Sequence, residues 1–123
     1  MDIQSALVQL ADAFNAHDLD RIMAFFSEHC CLEMPRGNKP WGSRFEGKED
    51  VRRALAARFE GLPDVHYADC EHFIDATAAT GIPKWTLTGT TREGTKVQVR
   101  GCDFYTFQDE KVIRKDSYWK IVE

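Results

Sequence analysis

The sequence predicts one α+β domain, with its helices first and its sheet after them. Apolar residues recur at helical spacing in three segments before Pro63, and alternate at strand spacing in the segments after it. With 123 residues, 43% hydrophobic and 29% charged, the chain can bury one continuous core and has the balance of a globular domain.

Residues 3–16 place Ile3, Leu7, Leu10, Ala11 and Phe14 on one helical face. His17-Asp18 ends that helix, and Asp18 can cap a second, short one carrying Leu19, Ile22, Met23 and Phe26. The string Cys30 to Met34 reads as a short strand stopped by Pro35, whose ring cannot continue a ladder. Residues 36–47 form a Gly- and Pro-rich loop around Trp41 and Phe45, with a brief strand expected at Arg44-Phe45-Glu46. A third helix starts near Lys48, sets Val51, Ala54, Leu55, Arg58 and Phe59 on one side, and stops at Gly61 and Pro63. Four strands follow, at about 65–74, 84–91, 95–107 and 112–121, with turns at Glu93-Gly94 and Asp109-Glu110. The layout is three helices laid on one face of a curved antiparallel meander.

Net charge −4 and a pI near 5.6 argue against nucleic acid, since no Lys/Arg run offsets the repulsion of phosphates. No apolar run is long enough to cross a bilayer, and residues 1–5 lack the pattern of a secretory signal, so a cytoplasmic protein is expected. Cys30, Cys31, Cys70 and Cys102 are then expected to be reduced and to pack as small core residues.

The strand around Asp103 carries the chemistry. Alternation puts Val97, Val99, Gly101, Asp103, Tyr105 and Phe107 on one, largely apolar face, which should look inward. A carboxyl there pays a desolvation penalty when ionised, so the sequence predicts a raised pKa and a proton donor or general base near neutral pH. The alternative is that Asp103 is partnered by Lys115 or an Arg and holds strands together. In the last strand Ile113, Lys115, Ser117, Trp119 and Ile121 form the inward row, in which Lys115 fits badly. Trp85, Tyr105, Trp119, Met34 and Phe59 can wall a cavity for a flat organic ligand. His66, Cys70 and His72 share a face with Asp69 beside them, at a spacing too wide for a tight metal site, so no metal is expected. Arg52, Arg53 and Arg58 read as the wet face of the third helix.

Several strings resemble the nuclear-transport-factor-2-like superfamily and its SnoaL-like branch. Phe14-Asn15-Ala16-His17-Asp18-Leu19-Asp20 is similar to the turn between that family's first two helices, and Phe45-Glu46-Gly47-Lys48-Glu49 to the entry of its third. Trp85-Thr86-Leu87-Thr88-Gly89, Gly101-Cys102-Asp103-Phe104 and Arg114-Lys115-Asp116-Ser117-Tyr118-Trp119 resemble its central and last strands. The resemblance implies a cone-shaped fold of three helices on a curved, mainly antiparallel sheet enclosing a pocket.

Among the ketosteroid isomerase relatives, Asp103 falls on the aspartate that donates to the oxyanion. Met34 stands where their general base would precede Pro35, Glu33 should point to the other face, and Leu10 falls near their oxyanion tyrosine. Steroid isomerisation by that mechanism is therefore not expected. The Arg and two Asp of the epoxide hydrolase relatives are not reproduced in Lys84-Trp85-Thr86 and Lys115-Asp116-Ser117. The SnoaL-like cyclases need little beyond a shaped pocket and one acid/base.

The expectation is a SnoaL-like pocket protein: an isomerase, cyclase or lyase acting on a small apolar carbonyl compound, without metal or cofactor. Asp103 would be its proton shuttle, and Phe14, Met34, Trp41, Phe59, Trp85, Tyr105, Ser117 and Trp119 its substrate contacts, with Trp41 covering the mouth. The alternative is a non-catalytic binding or structural module. The resemblance also implies a homodimer through the outer sheet face, where Thr86, Thr88, Arg100, Phe104 and Tyr118 would meet the partner.

Overall fold

The computed structural model describes residues 2–123. Its elements are α1 (Ile3–Asn15), α2 (Leu19–Ala24), β1 (Phe26–Glu33), β2 (Arg44–Glu46), α3 (Lys48–Gly61), β3 (His66–Asp75), β4 (Thr80–Thr90), β5 (Lys96–Gln108) and β6 (Lys111–Trp119). The strands form one sheet in the order β2-β1-β6-β5-β4-β3. Every pairing is antiparallel except β1 with β6. The expected α+β layout is therefore present, with the meander extended by β1 and β2 into a six-stranded sheet.

Asp2 caps α1 through Ser5 N–H, and Asp18 caps α2 through Arg21 N–H, each carboxylate accepting a bond that the first turn leaves open. His17 separates the helices in a left-handed conformation (φ 54°), which is why helical spacing fails there. Phe26, expected on α2, instead opens β1 and is fully buried, because the helix ends at Ala24. The helices cover one face: α1 lies against β3 and β4, and α3 against β1 and β2. Gly81 makes the first contact possible, since a Cβ there would lie 2.8 Å from both Ile3 Cγ2 and Leu7 Cδ1. Leu7, Leu10, Phe14, Ile22, Phe26, Leu32 and Val51 fill the resulting core. A second cluster, Leu62, Val65, Trp85, Leu87 and Val99, lies beneath the end of α3.

Several strand readings need correction. β1 opens at Phe26, ahead of the expected Cys30, and β6 ends at Trp119, leaving Ile121, expected on the inward row, exposed. β4 runs back through Pro83 to Thr80, beyond the expected start at Lys84. In β3 the register shifts between Ala68 and Glu71, where Asp69 adopts φ 55°. That bulge changes which side chains look inward. Tyr67 and Cys70 both line the cavity, whereas His66 is exposed, so His66, Cys70 and His72 do not share one face. Among the described residues no three His, Cys, Asp or Glu side chains converge as metal ligands. Nor is any helix among them long and apolar enough to cross a membrane.

Candidate active site

Between α1 and the sheet lies a narrow cavity of about 30 Å³, room for roughly one or two waters. Leu7, Leu10, Ala11 and Phe14 of α1 form one wall, and Tyr67, Cys70, Pro83, Trp85, Asp103, Tyr105 and Lys115 of the strands form the other. The polar groups come from adjacent register positions. Asp103 stands opposite Ser117, and Tyr105 opposite Lys115, so the four inward side chains make a compact block on β5 and β6.

Asp103 is not a lone carboxyl. Its Oδ1 accepts from the Ser117 hydroxyl at 2.6 Å and the Lys115 ammonium at 3.1 Å, and its Oδ2 accepts from the Trp85 indole N–H at 2.9 Å. Lys115 also donates to Ser117 Oγ at 2.9 Å, closing a triangle of side chains. The structure thus removes the premise of an unpartnered carboxyl and realises the ion pair with Lys115. Both charges are buried, with side-chain exposures of 6% and 9%, and such a pair persists only when its remaining donors and acceptors are met. Lys115 Nζ lies 5.5 Å from the ring centre of Phe14 and 5.7 Å from that of Tyr105, within range of cation–π attraction.

Gly101 is what lets Trp85 reach Asp103. A Cβ on Gly101 would lie 2.6 Å from the Trp85 ring and 2.4 Å from the Tyr118 carbonyl oxygen, so only glycine lets the indole cross β5. Trp85 is held further by edge contacts with Tyr67 and Trp119, at 5.1 and 6.3 Å between ring centres. Asn15 fixes Tyr67 by bonding both its backbone N–H (2.8 Å) and its carbonyl oxygen (2.9 Å).

Burial, then the negative charge of Asp103, raises the phenols of Tyr67 and Tyr105 well above the ordinary tyrosine range, so both are neutral hydroxyl groups. The same two causes raise the Cys70 thiol, which makes it a poor nucleophile. Arg58 departs from its expected wet face. Its guanidinium lies 4.5 Å over the Trp119 ring, and burial lowers its pKa against the opposing pull of Tyr67 and Asp103.

Of the expected contact residues, Phe14, Trp85, Asp103 and Tyr105 line the cavity, and Ser117 bonds Asp103 from beside it. Phe59 and Trp119 stand one layer out, Phe59 against Phe14 (6.3 Å) and Trp119 against Trp85. Met34 and Trp41 lie elsewhere. They line a separate depression beside Pro35 and Asp116, where half-exposed Trp41 carries the Arg44 guanidinium 4.7 Å above its ring. Tyr67 and Lys115 were not expected in the cavity. The β3 bulge brings Tyr67 and Cys70 to the same inward side despite their odd spacing, and Lys115 takes the inward place beside Ser117 that the alternation gave it, badly as its charge fits there.

Residues 7–115 match the SnoaL-like domain family. The chain belongs to that family. Solved structures agree with the whole architecture. A candidate polyketide cyclase from Xanthomonas campestris pv. campestris superposes with a TM-score of 0.84 at 16% identity, covering 95% of this chain and 89% of that one. A protein of unknown function from Burkholderia pseudomallei, described as nuclear-transport-factor-2-like, gives 0.82 at 15% identity, covering 95% and 89%. A candidate isomerase from Bacillus subtilis gives 0.80 at 16%, covering 94% and 84%. At these identities the likeness shows the nuclear-transport-factor-2-like fold and nothing finer. No curated protein has a significantly similar sequence.

Proposed function

We propose that this SnoaL-like protein is a cofactor-free acid/base enzyme, an isomerase, cyclase or lyase, acting on a small, largely apolar carbonyl compound. The observation that carries this reading is the buried pair of Asp103 and Lys115 on the wall of an otherwise apolar, aromatic cavity, tied together from beside it by Ser117. A carboxylate and an ammonium side by side can divide enolisation between them. Asp103 takes a proton α to the carbonyl, and Lys115, through its N–H, stabilises the oxyanion that develops. Tyr105, Phe14 and Trp85 orient a flat substrate against them. The free space holds only water-sized contents, so the substrate displaces water and the α1 wall yields by side-chain rotation.

The test is exchange of α-protons for deuterium in a panel of small aryl ketones, followed by NMR in D2O. Exchange above the buffer rate by the wild type, abolished by Asp103→Asn in a folded protein, supports the reading. Wild-type exchange at the buffer rate across the panel overturns it.

One observation favours a second reading, a non-catalytic binding or structural module. All three bonds to Asp103 are already made, so the carboxylate has a purely structural use, joining β4, β5 and β6. Saturable ligand binding without exchange would select it.

We further propose a homodimer through the outer sheet face. Phe104 and Tyr118, 39% and 53% exposed, meet edge-on with ring centres 5.6 Å apart, amid Thr86, Thr88 and Arg100.

A further inference from the structure

We propose that Lys115 is an imine-forming nucleophile, so that the substrate class is an aldehyde or ketone held covalently during the reaction. This deepens the acid/base reading and rests on its assignment of the cavity. A lysine does this chemistry where it is desolvated, beside a group that can take its proton, and open to a ligand space. Lys115 meets all three conditions: its side chain is 9% exposed, its Nζ is 3.1 Å from Asp103 Oδ1, and it lines the cavity. Ser117 bonds both groups, at 2.9 Å to Nζ and 2.6 Å to Oδ1, and so bridges the path between them. The remaining six lysines contribute to no such arrangement. Lys39, Lys48, Lys84, Lys96, Lys111 and Lys120 are exposed or half-exposed surface residues.

The step balances within the site. The Lys115 ammonium gives a proton to Asp103, and the freed nitrogen lone pair attacks the carbonyl carbon. The C=O π pair moves to oxygen, which takes a proton back through Asp103 and Ser117 to give a carbinolamine. The nitrogen, positively charged since the attack, gives a second proton to Asp103, and its freed lone pair then expels the hydroxyl, protonated by that carboxyl, as water. Overall, an ammonium and a carbonyl become a protonated imine and one water, and Asp103 ends as it began. The cavity has space for that water. The Phe14 and Tyr105 rings that flank Nζ stabilise the iminium cation as they do the ammonium. Asp103, again a carboxylate, is then beside the acidified α-carbon that it is proposed to deprotonate.

The experiment incubates the wild-type protein with phenylacetone and sodium cyanoborohydride near neutral pH. The hydride reduces an iminium to a stable secondary amine, which peptide mass mapping locates. The result expected is Lys115 alkylated at least about tenfold faster than the average of the other six lysines, and Lys115→Arg losing only that adduct. Alkylation of Lys115 at or below the surface rate overturns the inference, and because the wild type supplies this result it does not depend on the variant folding. Deuterium exchange into phenylacetone, measured on the same sample without reductant, separates the two claims. Exchange without a Lys115 adduct leaves the acid/base enzyme and removes the nucleophile. An adduct without exchange keeps the nucleophile and removes Asp103 as the working base.

Discussion

The molecule buries two carboxylates by opposite means, one on each face of the sheet. Glu33 lies on the outer face, 1% exposed, between the guanidinium groups of Arg44 (2.9 and 2.6 Å) and Arg114. Those arginines are 39% and 47% exposed, so they cover the carboxylate while staying hydrated themselves. Burial alone would raise the Glu33 carboxyl, but bonds from both arginines outweigh it and hold the group below its ordinary value. Asp103, on the inner face, has one ammonium, one hydroxyl and one indole, all of them buried too. Glu33 therefore works as a clamp joining β2, β1 and β6, whereas Asp103 has its charge and its partner enclosed together against a cavity. A clamp gains by shedding its partners' desolvation to the surface. A site gains by retaining it, because charge in an enclosed place acts strongly on whatever enters.

The contrast is broken most directly by Asp103→Ala. Removing one member of a buried pair leaves Lys115 uncompensated, and a loss of about 3–5 kcal/mol is expected in urea unfolding. Asp103→Leu combined with Lys115→Met should restore most of it, since an apolar pair needs no solvation. A single-variant loss under about 1 kcal/mol would mean that the inner pair is no more demanding than an exposed one.

Next is Gly101→Ala, whose Cβ displaces the Trp85 indole from Asp103. The expected cost is about 2–3 kcal/mol, with a change in tryptophan fluorescence. Unchanged emission would show that Trp85 does not depend on that space.

Glu33→Gln sharpens the outer half of the comparison, at about 1–2 kcal/mol near neutral pH. Because the folded-state carboxyl of Glu33 is lowered, its contribution is complete above the ordinary glutamate range and is lost as pH falls through the lowered value. The difference between wild type and variant should therefore close on acidification, as read by thermal unfolding from neutral pH down to about 3. A gap that persists at the acid end would assign Glu33 a role other than charge.

The smallest effect on the fold is expected from Phe104→Glu, within about 0.5 kcal/mol for a surface position. Its consequence should appear in sedimentation, where the wild type runs as a dimer and the variant as a monomer. A monomeric wild type would remove the outer-face interface altogether.

How much of this was legible depended on whether a strand keeps its alternation. β5 is regular from Lys96 through Thr106, so its inward row could be read residue by residue, Asp103 included. β3 is not, because Asp69 adds a residue to one side of the ladder, and no pattern of apolar residues announces a φ of 55° at an aspartate. That bulge brings Tyr67 and Cys70 to the same inward side despite their odd spacing. Asp18 as a cap was legible because capping is local, whereas the ending of α2 before Phe26 was not, because Phe26 suits a helix face and a core strand equally. The partnering of Asp103 turned on cross-strand register, which places Ser117 opposite it and Lys115 two residues back. Register is a property of two strands together and is not written in either one.

The parallel pairing of β1 with β6 has a consequence for how the protein is made. Phe26 lies opposite Val112 and Glu33 opposite Asp116, so β1 must wait through the synthesis of every other strand before its second neighbour in the sheet, β6, exists. On a translating ribosome the first helices and β1 emerge as a nascent chain with one ladder open, an interval in which a strand edge invites wrong pairing. Closing a loop of that length also carries the entropy that slows folding in proteins of high contact order. Lys115 and Ser117 arrive on that last strand, so no growing chain possesses the cavity's charge pair until the sheet itself is complete.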